Sequence, residues 1–114
     1  LVTTLRPVAA GTSGGVTLSG LAASGLGAIV VAAWGPHAVT VGVIGWCAAL
    51  LDSVIGAVLQ ARFRCGTCGE TVETPTHCGG SATRIAGVSF ISNDVVNLLA
   101  TLIGGVAGYV LVAR

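Results

Sequence analysis

The sequence contains no lysine and no methionine, and only 8% of its 114 residues are charged. Soluble domains carry about a quarter charged residues, so an ordinary water-soluble domain is excluded. Aromatic side chains make up 4% of the chain, the five basic residues are all scattered arginines, and the net charge is +1. A nucleic-acid surface needs a basic patch with stacking side chains beside it, so no nucleic-acid partner is expected. The start of the chain lacks the charged, apolar and cleavage regions of a secretory signal. Without lysine there is also no Walker A loop, whose G-x-x-x-x-G-K-[ST] pattern ends on one. A chain beginning at Leu1 rather than at an initiator methionine reads as a piece of something longer. An upstream segment or a partner chain is therefore expected to complete any site found here.

What the chain does have is apolar sequence, at 54% hydrophobic residues and a mean hydropathy of +0.95. A membrane-spanning helix takes about 20 predominantly apolar residues. Three stretches qualify: Val16 to Trp34, Ala38 to Ala61 with Asp52 as its one charge, and Val95 to Ala113. Gly35 to His37 is the tight link between the first two, and a polar loop runs from Arg62 to about Ser92. The expected fold is therefore an all-α integral membrane protein. It has three transmembrane helices at 16–34, 38–61 and 95–113 and a polar loop at 62–92, within a single membrane domain that belongs to a larger helical bundle. Small residues recur every four positions, as in Gly20 and Ser24, Ala49 to Ala61, and Gly104 and Gly108. That spacing lets helix backbones approach closely. Arg62, Arg64 and Arg84 in the loop, and Arg6 before the first span, fall on one side, with Arg114 opposite. The positive-inside rule places the loop and the N-terminal segment in the cytoplasm.

The loop sequence "CGTCGETVETPTHC" gives C-x2-C followed by an adjacent His-Cys pair. Cys65 and Cys68 can clasp one ion, and His77 and Cys78 can complete a tetrahedral zinc site with no open position, hence structural rather than catalytic. A disulfide or free thiols are the plainer alternatives, and a cytoplasmic loop argues against the disulfide.

Asp52, Gly56 and Gln60 share one helical face, with Ser53 beside them, and Asp94, Asn97 and Thr101 share another, with Asn93 adjacent. Ionisable residues inside a membrane usually face a bundle interior and mark function. The structural alternative is an Asp52 held by Asn97 or by an arginine. Asp52 lies about 13 Å from the end of its span at Ala61. It therefore opens toward the same side as Asp94. Before the first span, "RPVAAGTSGGVT" supplies Gly11, Gly14 and Gly15 with the hydroxyls of Thr12 and Ser13. A glycine-rich turn that opens a helix is an anion site through its free N–H groups, or else simply a helix cap. Together these residues form the inventory of phosphoryl transfer: an anion cradle, Asp52 and Asp94 to hold Mg²⁺, and amides to orient oxygens.

"GTSGGVTLSG", "LLDSVIGAVLQARFRC", the "CGTCGETVE…HCG" loop and "SNDVVNLLAT" resemble, in that order, motifs of the phytyl-phosphate kinase family. This is also known as domain of unknown function ninety-two, and its animal members are called transmembrane protein 19. The resemblance implies a membrane kinase that converts a polyprenyl (phytyl-like) monophosphate to the diphosphate at the expense of CTP or another nucleoside triphosphate. Asp52, Ser53 and Gln60 fall in its "DS…Q" motif, Asn93, Asp94 and Asn97 in its "ND..N" motif, and Thr12 to Thr17 in "GTSGGVT". The family is longer, with further spans upstream. Asp52, Asp94 and Asn97 are the expected catalytic residues. Gly11 to Gly15, Ser53, Gln60, Asn93, Arg62 and Arg64 are expected to bind nucleotide and substrate, with Arg62 or Arg64 offsetting charge. A cytidylyltransferase acting on a lipid phosphate needs the same inventory. A small transporter would instead place polar residues through the full depth of a helix, whereas here they gather in one half.

Overall fold

Helices form where the apolar stretches meet residues that can start and stop them. In the computed structural model, which describes residues 1–8 and 12–113, α1 covers Leu18–Ala32, α2 covers Ala38–Leu59 and α3 covers Asn93–Val112. The Thr17 hydroxyl accepts the backbone N–H of Gly20 at 3.0 Å and so starts α1. Ser92 accepts the N–H of Val95 at 3.4 Å and starts α3. Each cap satisfies one of the donors that a helix start leaves unpaired. Between α1 and α2 the chain reverses through Gly35 to His37, with His37 in the left-handed region at φ 64°.

The central helix is α2, packed between α1 and α3. Small residues permit both contacts. A Cβ on Gly104 would lie 2.8 Å from the Ala48 Cβ, so α3 touches α2 there with no room for a side chain. On the α1 side, Gly42 lies against Ala32, and the Trp46 indole N–H donates to the Leu21 carbonyl at 3.1 Å.

The structure corrects the expectation of an all-α protein with three transmembrane helices on two counts. The first span, expected over 16–34, is only the 15-residue α1. That is about 22 Å of helix against the ~30 Å of a hydrocarbon core. Among the described residues, only α2 and α3, of 22 and 20 residues, are long and apolar enough to cross a membrane. Hydropathy does not separate an apolar residue in a helix from one in an extended entry. Here the Thr17 cap makes that separation.

The polar loop 62–92, in turn, carries a four-stranded antiparallel sheet. Its strands are β1 (Arg62–Cys65), β2 (Thr71–Val72), β3 (Thr76–His77) and β4 (Gly80–Ala86), in the order β2-β1-β4-β3. Residues of β1 alternate, with Phe63 and Cys65 buried and Arg64 exposed. A stretch this short is invisible to a span-length window, yet its backbone groups still need partners, and the ladder supplies them. Phe63 faces Arg84 across it, and Cys65 faces Ala82.

The sheet is fastened to the end of α2. Ala61 N–H donates to the Ile91 carbonyl and Val88 N–H to the Leu59 carbonyl, both at 2.9 Å. Gly87 sits at φ +72° directly over the Gln60 carbonyl, where any Cβ would collide. Only glycine fits both demands.

Candidate functional site

The shortness of α1 makes the cleft. With 15 residues against 22 in α2, it ends about 10 Å short along the axis. At the sheet end of the molecule that space is taken by extended chain instead of helix. Thr12 to Gly15 form a tight turn, closed by the Gly15 N–H donating to the Thr12 carbonyl at 2.8 Å. Gly14 has φ +75°, and a Cβ on it would stand 2.7 Å from the Ala57 Cα, so the turn rests on the α2 backbone itself. Gly56 keeps the surface below it bare: a Cβ there would meet the Gln60 amide oxygen, the Gly14 nitrogen and Ser13 at 3.5–3.8 Å.

The resulting cleft has a volume of about 720 Å³ and draws on segments far apart in the chain. Thr12, Ser13, Gly14, Gly15 and Arg6 line it from the N-terminal segment, Asp52, Ser53 and the C-cap Gln60 from α2, Asn93 from α3 and Glu73 from the connection between β2 and β3. Val16 and Thr17, at the N-terminus of α1, line the same space, and such an end favours anions. Gln60 is 2% exposed, and among the described residues neither its amide nitrogen nor its amide oxygen has a hydrogen-bond partner. A buried, unpartnered polar group costs about 1–3 kcal/mol. The cost is recovered when a ligand or water supplies the missing bonds.

Asp52 borders a second, smaller cavity between α2 and α3, together with Asn97 and Thr101. Among the described residues no hydrogen bond joins it to Asn97 and no arginine pairs with it. Ser53 donates to the Ala49 carbonyl at 3.3 Å, the usual back-bond of a helical serine.

Other expected residues are placed differently. Asp94 is exposed in the first turn of α3 and does not line the cleft, where its neighbour Asn93 does. A carboxylate in a first helical turn is favoured by the helix dipole alone. Arg62 donates to the Ala57 carbonyl at 3.4 Å, at the C-terminal end of α2, and Arg64 is exposed on β1. Neither lines the cleft, whereas Arg6 does. Gly11 lies outside the described residues. Glu73 gives no signal in the sequence, because its place depends on how the sheet folds over the end of α2.

Cys65, Cys68, His77 and Cys78 come together on the sheet, their ligand atoms all within 4.8 Å of one another. The His77 Nδ1 lies 3.5 Å from the Cys68 sulfur and 3.3 Å from that of Cys78. Around Cys65 the chain folds as a knuckle: Thr67 N–H donates to its sulfur at 3.4 Å, and Gly69 N–H to its carbonyl at 3.0 Å. The Cys68 N–H, then the His77 ring and the Thr67 N–H, bring the Cys65 thiol down to about 6. Cys78 is pushed up to about 11 by its hydrogen bond to Cys68 and by burial. Three thiols and an imidazole gathered this closely are a ligand set that could hold a metal ion such as zinc.

The family profile described as integral membrane protein DUF92 matches residues 1–105. The chain belongs to this family. Its membership agrees with the two membrane-capable helices and establishes an integral membrane protein. Among curated relatives, Protein PGR of Arabidopsis thaliana is 29% identical over 122 aligned positions, covering 90% of this chain and 41% of the relative. The chain thus spans less than half the length of that relative. No solved structure matches it.

Proposed function

We propose that the cleft is a phosphoryl-transfer site, at which the full-length protein moves the γ-phosphate of CTP or another nucleoside triphosphate onto a polyprenyl monophosphate. The observation that carries this reading is the meeting, in one cleft, of the Thr12–Gly15 turn, Asp52 and the unpartnered Gln60 amide. In the transfer, an oxygen of the lipid monophosphate bonds to the γ-phosphorus. The bond from that phosphorus to the β–γ bridging oxygen breaks, and the nucleoside diphosphate leaves with the electron pair. Such a reaction asks for positioning and charge neutralisation more than covalent chemistry. The Gly14 N–H and the start of α1 bind phosphate oxygens, Gln60 donates to one of them, Arg6 offsets charge and Asn93 orients the acceptor.

Asp52, Ser53 and Asn93 offer the hard oxygen donors that Mg²⁺ takes, so the residues fit that ion. When bound, Mg²⁺ would neutralise phosphate charge. Asp94, expected as its second carboxylate ligand, has no place in this proposal because it does not line the cleft. The cysteine–histidine cluster is proposed to hold a structural Zn²⁺ that fixes the sheet, and with it Glu73, over the mouth. The cleft and sheet are proposed to face the cytoplasm, where nucleotides are.

The test is to incubate membranes holding the full-length protein with labelled CTP, Mg²⁺ and phytyl or geranylgeranyl monophosphate. The expected products are CDP and the prenyl diphosphate, and Asp52→Asn should lower the rate at least about 100-fold with an unchanged melting temperature. Full activity in that variant would refute the proposal. Release of pyrophosphate would identify a cytidylyltransferase instead.

A further inference from the structure

A second feature of the α2–α3 contact extends this reading and rests on it. Below the polar cleft, beside the close contact of Gly104 with Ala48, α2 and α3 border an apolar groove of about 730 Å³, lined by Gly45 and Ala48 of α2 and by Thr101, Gly105, Gly108 and Tyr109 of α3 among others. Gly45, Ala48 and Thr101 also line the smaller cavity that reaches Asp52 and Asn97. Asp52, in its turn, lines the polar cleft. Through these shared residues the three cavities follow one another from the glycine turn, past a carboxylate and an amide, into the membrane-spanning part of the protein. Polarity falls along them in the order of an amphiphile: charge first, then Asn97 and Thr101, then glycine and hydrocarbon. From Asp52 to Val41 at the far end of the groove is about 16 Å of helix.

The glycines along α3 divide into two kinds. Gly104 is required by the helix contact, since a Cβ there would meet Ala48 at 2.8 Å. At Gly105 and Gly108 a Cβ would meet nothing within 4 Å. Glycine inside a helix costs about 1 kcal/mol relative to alanine, and contacts among the described residues do not explain these two. What they do is leave the groove open.

We propose that the groove holds the linear apolar tail of the lipid phosphate whose headgroup sits at Asp52, and that Gly105 and Gly108 set how long a tail is admitted. The test uses the full-length protein with a long-chain substrate (geranylgeranyl monophosphate) and a short-chain one (geranyl monophosphate). Gly108→Leu should raise KM for the long chain at least about tenfold, leaving KM for the short chain and for the nucleotide unchanged. Gly105→Leu, nearer Asp52, should raise both lipid KM values and spare the nucleotide. Independently of turnover, geranylgeranyl monophosphate with a diazirine at its tail end should label, on illumination, the stretch around Gly105 to Val112, and Gly108→Leu should abolish that label.

Equal KM values for wild type and Gly108→Leu would overturn the proposal. So would a label falling on another helix, or a crosslink at Gly108 between copies of the protein, since the groove would then be filled by protein. A wild type that transfers no phosphate yet labels in the groove would refute the transfer reading and uphold the groove. Transfer with the label elsewhere would do the reverse.

Discussion

Gln60 shows how much of the site's chemistry is decided residue by residue. It closes α2, is buried, and leaves both amide atoms without partners among the described residues. If its role is to meet a ligand, Gln60→Leu should leave the melting temperature of the ligand-free protein unchanged or raise stability by about 1 kcal/mol, because a buried unsatisfied amide is removed. The same variant should bind CTP at least about tenfold more weakly, as read by calorimetry, since a hydrogen bond to a charged group is lost. A large loss of stability would show the amide to be structural. Gly14 makes the opposite case. Gly14→Ala puts a side chain at positive φ and against Ala57, and should cost about 1–3 kcal/mol by thermal denaturation in detergent. Asp52 is conspicuous in the sequence, as the one charge in a long apolar run. Arg6 and Glu73 are not, because neither the N-terminal segment nor the sheet has a periodicity that points a side chain at the cleft.

Among the elements, α1 and the sheet are the two that depart from expectation, and both departures build the site. A full-length α1 would fill the space where the glycine turn now lies. The sheet forms because Phe63 and Cys65 can be buried on one face of β1 while the two pairs of Cys and His residues meet at one end of it. If Zn²⁺ holds that end, the purified protein should contain one zinc per chain by elemental analysis, and chelation should expose the sheet to proteolysis between Cys65 and Ala86. The cluster also predicts the direction of a pH effect. Cys65 is held below its ordinary value, at about 6. Its thiolate therefore stabilises the folded cluster fully above the unfolded thiol range of about 8.5, and that stabilisation is lost as pH falls through about 6. Cys78 is raised to about 11, so its thiol stabilises the metal-free fold below the unfolded value and that stabilisation fades as pH rises toward 11. Zinc affinity, measured by competition with a chromophoric chelator, should accordingly fall steeply between pH 7 and pH 5, with protons displacing the metal.

The molecule as a whole is two-ended. The glycine turn, the end of α2, the sheet and the start of α3 lie at one end, and the Gly35 to His37 link lies at the other. With α2 and α3 across a membrane, the sheet and cleft share one face, which the arginine distribution predicts to be cytoplasmic. In a Cys47→Ser background, after metal removal, a membrane-impermeant maleimide should therefore modify the hairpin cysteines in inside-out vesicles and not in right-side-out ones. The reverse pattern would move the cleft away from nucleotides and undo the proposed reaction. Because the chain covers 41% of its Arabidopsis relative, this experiment and the transfer assay belong to the full-length protein.

Composition alone determined that this is a membrane protein, because so little charge leaves the chain no way to present a water-soluble surface. Residue spacing alone marked Asp52, the glycine turn and the four metal-type ligands, since thiolates, carboxylates and left-handed turns each demand particular side chains. Tertiary structure decided which of them meet. It shortened α1 at Thr17, folded the polar loop into a sheet, brought Asn93 rather than Asp94 to the cleft, and carried Arg6 and Glu73 there as well. Those outcomes depend on where helices stop and how strands pair across more than ten residues of chain. They are set by caps, close backbone approaches and ladder hydrogen bonds, which no window of hydropathy contains.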